Sequence, residues 1–306
     1  MNIGRCICRT ILYMNISILL FRGVSTIRTD PLLTLCEPVR MRSYLEYEIL
    51  KSYKPLSYSI AKDILHKKIQ KIDLYGDNTQ STNVEHIFPQ SFFKNDTRKS
   101  QMKSDLHHLY LCNMKLNTYR QNFKYVDSST AKVDDKIRIL DMKGEMVSNE
   151  TELFTKRGYL MVTNKNTKTF IPAENSRGKI ARALSFFAIK YNYLDVLENV
   201  INIKTLIEWN LKDPVDNDEY LKNIIIYHHQ GDLNPFVINS DLITYCFADK
   251  YDIDQEILRK KRTSNIDSLY TIDYLLNEIK KLENDKSEMK SLLLKKWSPY
   301  NKNVYK

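Results

Sequence analysis

The sequence predicts an α+β fold: a mainly helical domain around a small core of two strands and a helix, with a long helix at the C-terminus. Three observations predict it. Apolar residues recur at helical spacing between Tyr44 and Ile72 and again between Lys179 and Trp209. Two short apolar runs, Thr82–Pro89 and Asp105–Leu111, are separated by a polar stretch and followed by a helical segment, Asn113–Phe123. Between Ile266 and Trp297, Leu269, Ile272, Leu276, Ile279 and Leu282 stand near heptad spacing amid alternating charge.

We divide the 306 residues into an N-terminal extension or targeting segment (1–40), a main domain (41–250) and a basic, helical C-terminal extension (251–306). The net charge of +10 and pI near 9.1 favour polyanionic partners. Residues 1–29 hold no Asp or Glu, and Arg5, Arg9, Arg22 and Arg28 surround an apolar run from Ile11 to Phe21. That run is too short to span a bilayer. It reads equally as a secretory signal, an organelle presequence or an extension without a targeting role. A viral or intracellular setting also stays open. Of the five cysteines, Cys6 and Cys8 are too close for a zinc knuckle, and no Cys-x-x-Cys pair exists. Neither a structural zinc site nor a disulfide framework is expected, and a Cys112–Cys246 bridge is left open.

Within the domain, Leu45, Ile49, Leu50 and Tyr53 form one helical apolar group. Ile60, Ile64, Leu65 and Ile69 form a second, with Pro55 between them. Gly76-Asp77-Asn78 predicts a turn into the first strand. Lys94–Ser100 is a polar loop, and Arg98, Lys99 and Lys103 are candidate phosphate contacts. Asp105–Leu111 is the return strand, and Asn113–Phe123 the helix that follows. Further helices are expected at Lys179–Val200, Leu197–Trp209 and Glu219–His229. The C-terminal helix docks on the domain or forms a short coiled coil, and so offers a route to oligomers.

The chemistry concentrates in Thr82–Phe123. Glu85 and His86 end the first strand, and Asn117 and Arg120, three apart, share a helix face. Phosphodiester hydrolysis needs a base, and a histidine titrates near working pH. It also needs positive charge for the transition state. Glu85 and Asn117 are oxygen ligands suited to Mg²⁺, which keeps several waters and takes few protein ligands. Arg120 suits bidentate pairing with a phosphate. Adjacent strand residues point to opposite faces, so Glu85 and His86 serve one site only where the strand twists or ends. His107 and His108 read as core or orienting residues. For Arg177 and Arg182, phosphate contact and a structural ion pair stand as equal alternatives.

These residues resemble the bacterial endonuclease I family, within the ββα-metal (His-Me finger, HNH-like) nucleases. Val84-Glu85-His86-Ile87-Phe88-Pro89-Gln90-Ser91 is similar to its Glu-His-x-x-Pro-Gln-Ser signature. Asp105-Leu106-His107-His108-Leu109, with Asn117, Arg120, Asn122 and Phe123, is similar to its second signature. Arg177-Gly178-Lys179-Ile180-Ala181-Arg182 and Gln230-Gly231-Asp232-Leu233-Asn234-Pro235-Phe236 extend the likeness, which covers about Tyr44 to Phe247. The resemblance implies a metal-dependent endonuclease of low sequence specificity, acting on DNA and often RNA, with no small-molecule cofactor. It implies His86 as general base and Glu85 and Asn117 on one Mg²⁺, with Mn²⁺ or Ca²⁺ as substitutes. Arg120 and Asn122 would hold the metal-site helix and the phosphate. Arg98, Arg177 and Arg182 complete the expected nucleic-acid contacts. In the last segment an acid, Asp232, stands where the family carries a polar amide, and Leu233 replaces a basic residue near the expected phosphate contacts. The alternatives are a non-catalytic nucleic-acid-binding protein on a decayed nuclease scaffold, an RNA-directed nuclease and, more distantly, a small-molecule phosphodiesterase.

Overall fold

The computed structural model describes residues 38–69, 74–75, 82–127, 136–141, 143–145, 159–163 and 168–250, all within one unit spanning Thr34–Ile253. In chain order they form α1 (Pro38–Lys51), α2 (Tyr58–Lys68), β1 (Thr82–His86), α3 (Lys99–Ser104), β2 (Leu109–Asn113) and α4 (Met114–Arg120). Strands β3 (Lys124–Tyr125), β4 (Lys136–Leu140), β5 (Tyr159–Thr163) and β6 (Lys168–Ile171) follow. The last six are helices: α5 (Glu174–Lys190), α6 (Leu194–Val200), α7 (Ile203–Lys212), α8 (Asn217–Gln230), α9 (Pro235–Ile238) and α10 (Leu242–Cys246). The architecture is mainly helical with a few short strands. No helix among the described residues is long and apolar enough to cross a membrane. The N-terminal extension (apart from 38–40), the Gly76–Asn78 turn and the expected C-terminal helix lie outside the described residues.

Helix α5 is enclosed on all sides. Fourteen of its 17 residues are buried, as expected of a helix that is apolar around most of its circumference. Helices α1, α6, α7 and α9 pack on it. Gly178 permits the approach of α7: a Cβ there would stand 2.0 Å from the Asp213 carbonyl oxygen. The expected single helix from Lys179 to Val200 instead breaks after Lys190. Asn192 takes a left-handed φ of 57°, which Asn tolerates better than most residues. The next expected helix, Leu197–Trp209, breaks at Ile201, which is extended and bridges Tyr125. Asn202 then caps α7, its side chain accepting from the Lys204 amide at 3.0 Å.

The two expected strands pair antiparallel, with Thr82 opposite Asn113 and His86 opposite Leu109. The return strand starts later than expected. Asp105 caps a 3₁₀ turn over Leu106–His108, accepting from the His107 amide at 3.0 Å. The strand begins only at Leu109. Its last residue, Asn113, caps α4 through the amides of Lys115 and Leu116 at 2.9 and 3.3 Å. Leu74 and Tyr75 line the other edge of β2, through the Leu74 amide to the Leu111 carbonyl and the Asn113 amide to the Tyr75 carbonyl. A second sheet, ordered β3-β6-β5-β4, lies outside the sequence expectation. Cys112 and Cys246 are buried free thiols, which closes the question of a bridge between them.

One buried ionic cluster joins these parts. Lys190, the last residue of α5, donates to Asp105 Oδ2 and Asp232 Oδ2, each at 2.6 Å. The Tyr191 hydroxyl donates to Asp105 at 2.8 Å. Gln230 Nε2 donates to Asp105 at 2.8 Å and to Asp232 at 3.0 Å. The acid at position 232, expected near phosphate contacts, therefore serves the core. Asn234 caps α9 and Phe236 is buried, so that segment is a structural turn.

Two stability predictions follow from this cluster. Lys190→Met leaves two buried carboxylates without their cation, a loss of roughly 3–5 kcal/mol. We expect the melting temperature to fall by about 10 °C or more, or the protein to fail to fold, in thermal melts followed by circular dichroism. Stability should also decline in acid. Burial pushes the Asp105 carboxyl up, but Lys190 outweighs it and holds the group well below the usual range. That contribution is present above about pH 4, the unfolded value, and is lost as pH falls. Burial lowers His108 to about 3. The unfolded chain thus takes up a proton below about pH 6.5 that the fold refuses, and stability again falls with pH. A melting temperature that stays level from pH 7 to pH 4 would contradict the His108 assignment, and one that stays level from pH 4 to pH 2 would contradict that of Asp105.

Candidate active site

A pocket of about 260 Å³ opens where β1 ends and α4 ends. Strand β1 contributes Val84, Glu85 and His86. The turn after it contributes Pro89, Gln90 and Ser91. The end of α4 contributes Asn117 and Arg120, followed by Gln121 and Asn122. The strand terminates at His86, so the alternation of faces stops there and both Glu85 and His86 reach one cavity.

His86 is held in one tautomer. Its Nε2 lies 3.0 Å from the Lys103 carbonyl oxygen. A carbonyl only accepts, so Nε2 carries the proton. The lone pair is then on Nδ1, which accepts from Gln90 Nε2 at 3.2 Å. Burial lowers the imidazole to about 4, so it is neutral at neutral pH. One ring neighbour is Tyr58, at 5.7 Å between centroids, and another is His108, at 5.5 Å.

Glu85 is 3% exposed. Burial raises its carboxyl, opposed by Arg120 and by the hydroxyls of Tyr75 and Tyr125. Those hydroxyls lie 3.3 and 3.4 Å from Glu85 Oε1 and bond to each other, so one donates to the carboxylate and the other to its fellow hydroxyl. Arg120 Nη1 is 3.1 Å from the same oxygen.

Arg120 is not placed to clamp a phosphate. It is 1% exposed, and both terminal nitrogens are engaged, while the buried Nε has no hydrogen-bond partner among the described residues. Nη2 donates to the Ile87 carbonyl at 2.8 Å, and Nη1 to the carbonyls of Gln121 at 3.0 Å and His86 at 3.4 Å. Burial would lower its pKa, but Glu85 reverses this and keeps the guanidinium charged. Its geometry is that of a strap between α4 and the chain just after β1. Asn117 donates its amide nitrogen to the Val84 carbonyl at 3.4 Å, which leaves the amide oxygen as its acceptor. Asn122 lies in the pocket and donates to Ser91 Oγ at 3.3 Å.

The other expected contacts lie elsewhere. Arg98 is tied to Asp96 at 3.1 Å and donates to the Tyr191 carbonyl at 3.0 Å. Arg177 pairs with Asp127 at 3.3 Å. Arg182 is fully buried and grips Glu219 with two bonds, at 2.7 and 2.6 Å. For these two arginines the ion-pair alternative is the one observed. His107 and His108 are buried, as expected. Gln90 and Ser91 stand inside the first signature yet carried no assigned role. Tyr75 and Tyr125 left no sequence signal, being fifty residues apart with no motif to link them.

The donor set bears on the metal. Among the described residues no group of three or more His, Cys, Asp and Glu could hold an ion. One carboxylate and one amide oxygen do not suit zinc, which takes three or four N, S or O protein ligands. They fit a hard divalent cation that keeps most of its coordination for water and substrate oxygens.

Comparison with known proteins gives the family of the chain. An extracellular ribonuclease of Bacillus subtilis (strain 168) is 26% identical over 180 residues, and the match covers 54% of each chain. The chain thus spans about half the length of that relative. The family model described as Endonuclease I matches residues 42–241, from α1 through the pocket to the residue before α10. With well over half of the sequence inside that match, the chain belongs to the endonuclease I family, generally metal-dependent nucleases that hydrolyse phosphodiester bonds.

Proposed function

We propose that the protein is a metal-dependent endonuclease that cuts the phosphodiester backbone of nucleic acid with little regard to sequence. We read the β1–β2 hairpin and α4 as a ββα-metal core. The observation that carries this reading is the convergence of Glu85, His86 and Asn117 on one pocket, with the imidazole neutral and its Nε2 tied to a main-chain carbonyl. Low sequence specificity follows where the phosphate backbone, which carries no sequence information, is what the site holds. The same backbone is shared by DNA and RNA. The name of the Bacillus relative supports RNA as a substrate.

His86 Nδ1 would accept the proton of the attacking water, with the Lys103 carbonyl stabilising the imidazolium that results. Gln90 holds that nitrogen before substrate arrives, and a water replaces its amide in the working complex. Glu85 and Asn117 would hold the divalent ion, Mg²⁺ in our reading with Mn²⁺ or Ca²⁺ as substitutes. When bound, the ion supplies positive charge to the phosphate and to the leaving oxygen. Tyr75, Tyr125 and Arg120 fix the orientation of the Glu85 carboxylate. Asn122 and Ser91 furnish polar contacts for the substrate.

The test is a cleavage assay on plasmid DNA and on a structured RNA, with Mg²⁺ or with EDTA. Cleavage should require the ion. His86→Ala should lose about 10²–10⁴-fold in rate while remaining folded, and Asn117→Ala should need far more metal. Full metal-dependent activity in His86→Ala would remove the proposed base. Specific binding without any cleavage would favour the decayed-scaffold alternative. Arg120→Ala should behave differently from His86→Ala. It strands Glu85 without its cation, at a cost of about 3–5 kcal/mol, so the melting temperature should fall together with activity. An Arg120→Ala protein of normal stability and lost activity would restore the phosphate-clamp role.

A further inference from the structure

The proposed site lacks cations for a polyanion. Arg120, the one guanidinium lining the pocket, is buried and committed. Arg98, Arg177 and Arg182 are each tied to a carboxylate. Backbone phosphates on either side of the cut must find charge elsewhere.

One cluster beside His86 answers that need. Tyr58, the first residue of α2, packs its ring 5.7 Å from the His86 ring. Lys103 Nζ stands 4.6 Å from the Tyr58 ring centroid, and Lys62 Nζ stands 5.3 Å from it. Two ammonium groups thus share one aromatic ring, one ring away from the proposed base. Among the described residues neither lysine forms a salt bridge. On the same helix Lys67 pairs with Asp63 at 2.6 Å, so α2 does carry a carboxylate but spends it elsewhere. The faces of an aromatic ring are negative and attract cations, so Tyr58 helps to hold both ammonium groups near His86, where a bound anion would meet positive charge. The cluster is also rigidly related to the base, because the main chain of Lys103 holds His86 Nε2.

We propose that Lys62 and Lys103, posted on Tyr58, form a phosphate-binding subsite for the backbone next to the scissile bond. It rests on the nuclease reading for its substrate class. It adds where the strand lies: from the pocket across the His86 edge toward the start of α2. Lys103→Ala keeps the carbonyl that accepts from His86 Nε2, so the hydrogen bond that sets the tautomer survives loss of the side chain.

The experiment uses the full chain, the Lys62→Ala/Lys103→Ala double variant, and Lys67→Ala as a control of equal charge change per site. Binding of a short fluorescent single-stranded RNA, and of DNA of the same sequence, is measured in EDTA over a range of salt. The double variant should bind about ten-fold more weakly at low salt. Its slope of log K against log salt should flatten by about 1.4, at ~0.7 per lost phosphate contact on a single strand. With metal, KM should rise. Lys67→Ala should match the wild type. Lys103→Gln, which keeps the length of the side chain, repeats the measurement should the alanine variant melt early. Unchanged affinity and slope in the double variant would overturn the subsite, as would an equal loss in Lys67→Ala. A wild type that binds but cleaves nothing would remove the nuclease reading and leave the binding comparison standing. A wild type that cleaves, beside a double variant that binds as well as it does, would remove only the subsite.

Discussion

The fold depends on a single buried cation. Lys190 closes α5 and holds two carboxylates, one from the turn that starts β2 and one from the loop after α8. Burying three charges in one place is costly, and only near-complete pairing makes it tolerable. Every polar atom in the cluster has work: Tyr191 and Gln230 take the remaining carboxylate positions. The turn at Asp105–His108 is therefore fixed to the most enclosed helix of the domain. Because β2 starts from that turn and pairs with β1, the position of Glu85 and His86 traces back to Lys190.

A second polar layer repeats this logic closer to the pocket. Arg120 straps the end of α4 to the chain after β1, and Tyr75 and Tyr125 meet it at the same Glu85 oxygen. The carboxylate is thereby held by groups that are themselves buried. Gly231 secures the outer side of the assembly. Its φ of +82° caps α8, and a Cβ there would stand 2.2 Å from the Ser52 carbonyl oxygen after α1. Polar groups that look functional in the sequence are thus largely the framework that aims a few others.

Much of this was legible in the sequence. The helical spacing placed α1, α2, α5 and α8, and the paired runs placed β1 and β2. Glu85, His86 and Asn117 were legible because their types and spacing are constrained by chemistry. What escaped was decided by partners far away in the chain. Asp105 pulls four residues out of the return strand because Lys190, 85 residues later, needs its carboxylate. Asn192 and Ile201 each break a continuous apolar pattern, and no local spacing records it. The second sheet joins strands of two to five residues, too short for alternation to rise above chance. The arginines mislead for a related reason: a guanidinium suits a phosphate and a buried carboxylate equally well. Only the positions of Asp127 and Glu219 tell the two apart.

The hydrogen bond from His86 to the Lys103 carbonyl has a consequence for how such a site tolerates change. In many catalytic arrangements the group that orients an imidazole is itself a side chain, and one substitution removes it. Here the orienting atom belongs to the main chain, and every amino acid at position 103 supplies it. The tautomer of His86 is therefore insulated from the identity of its own partner. The side chain at 103 is left free to answer to the substrate, so affinity can drift at this position while the proton stays where it is.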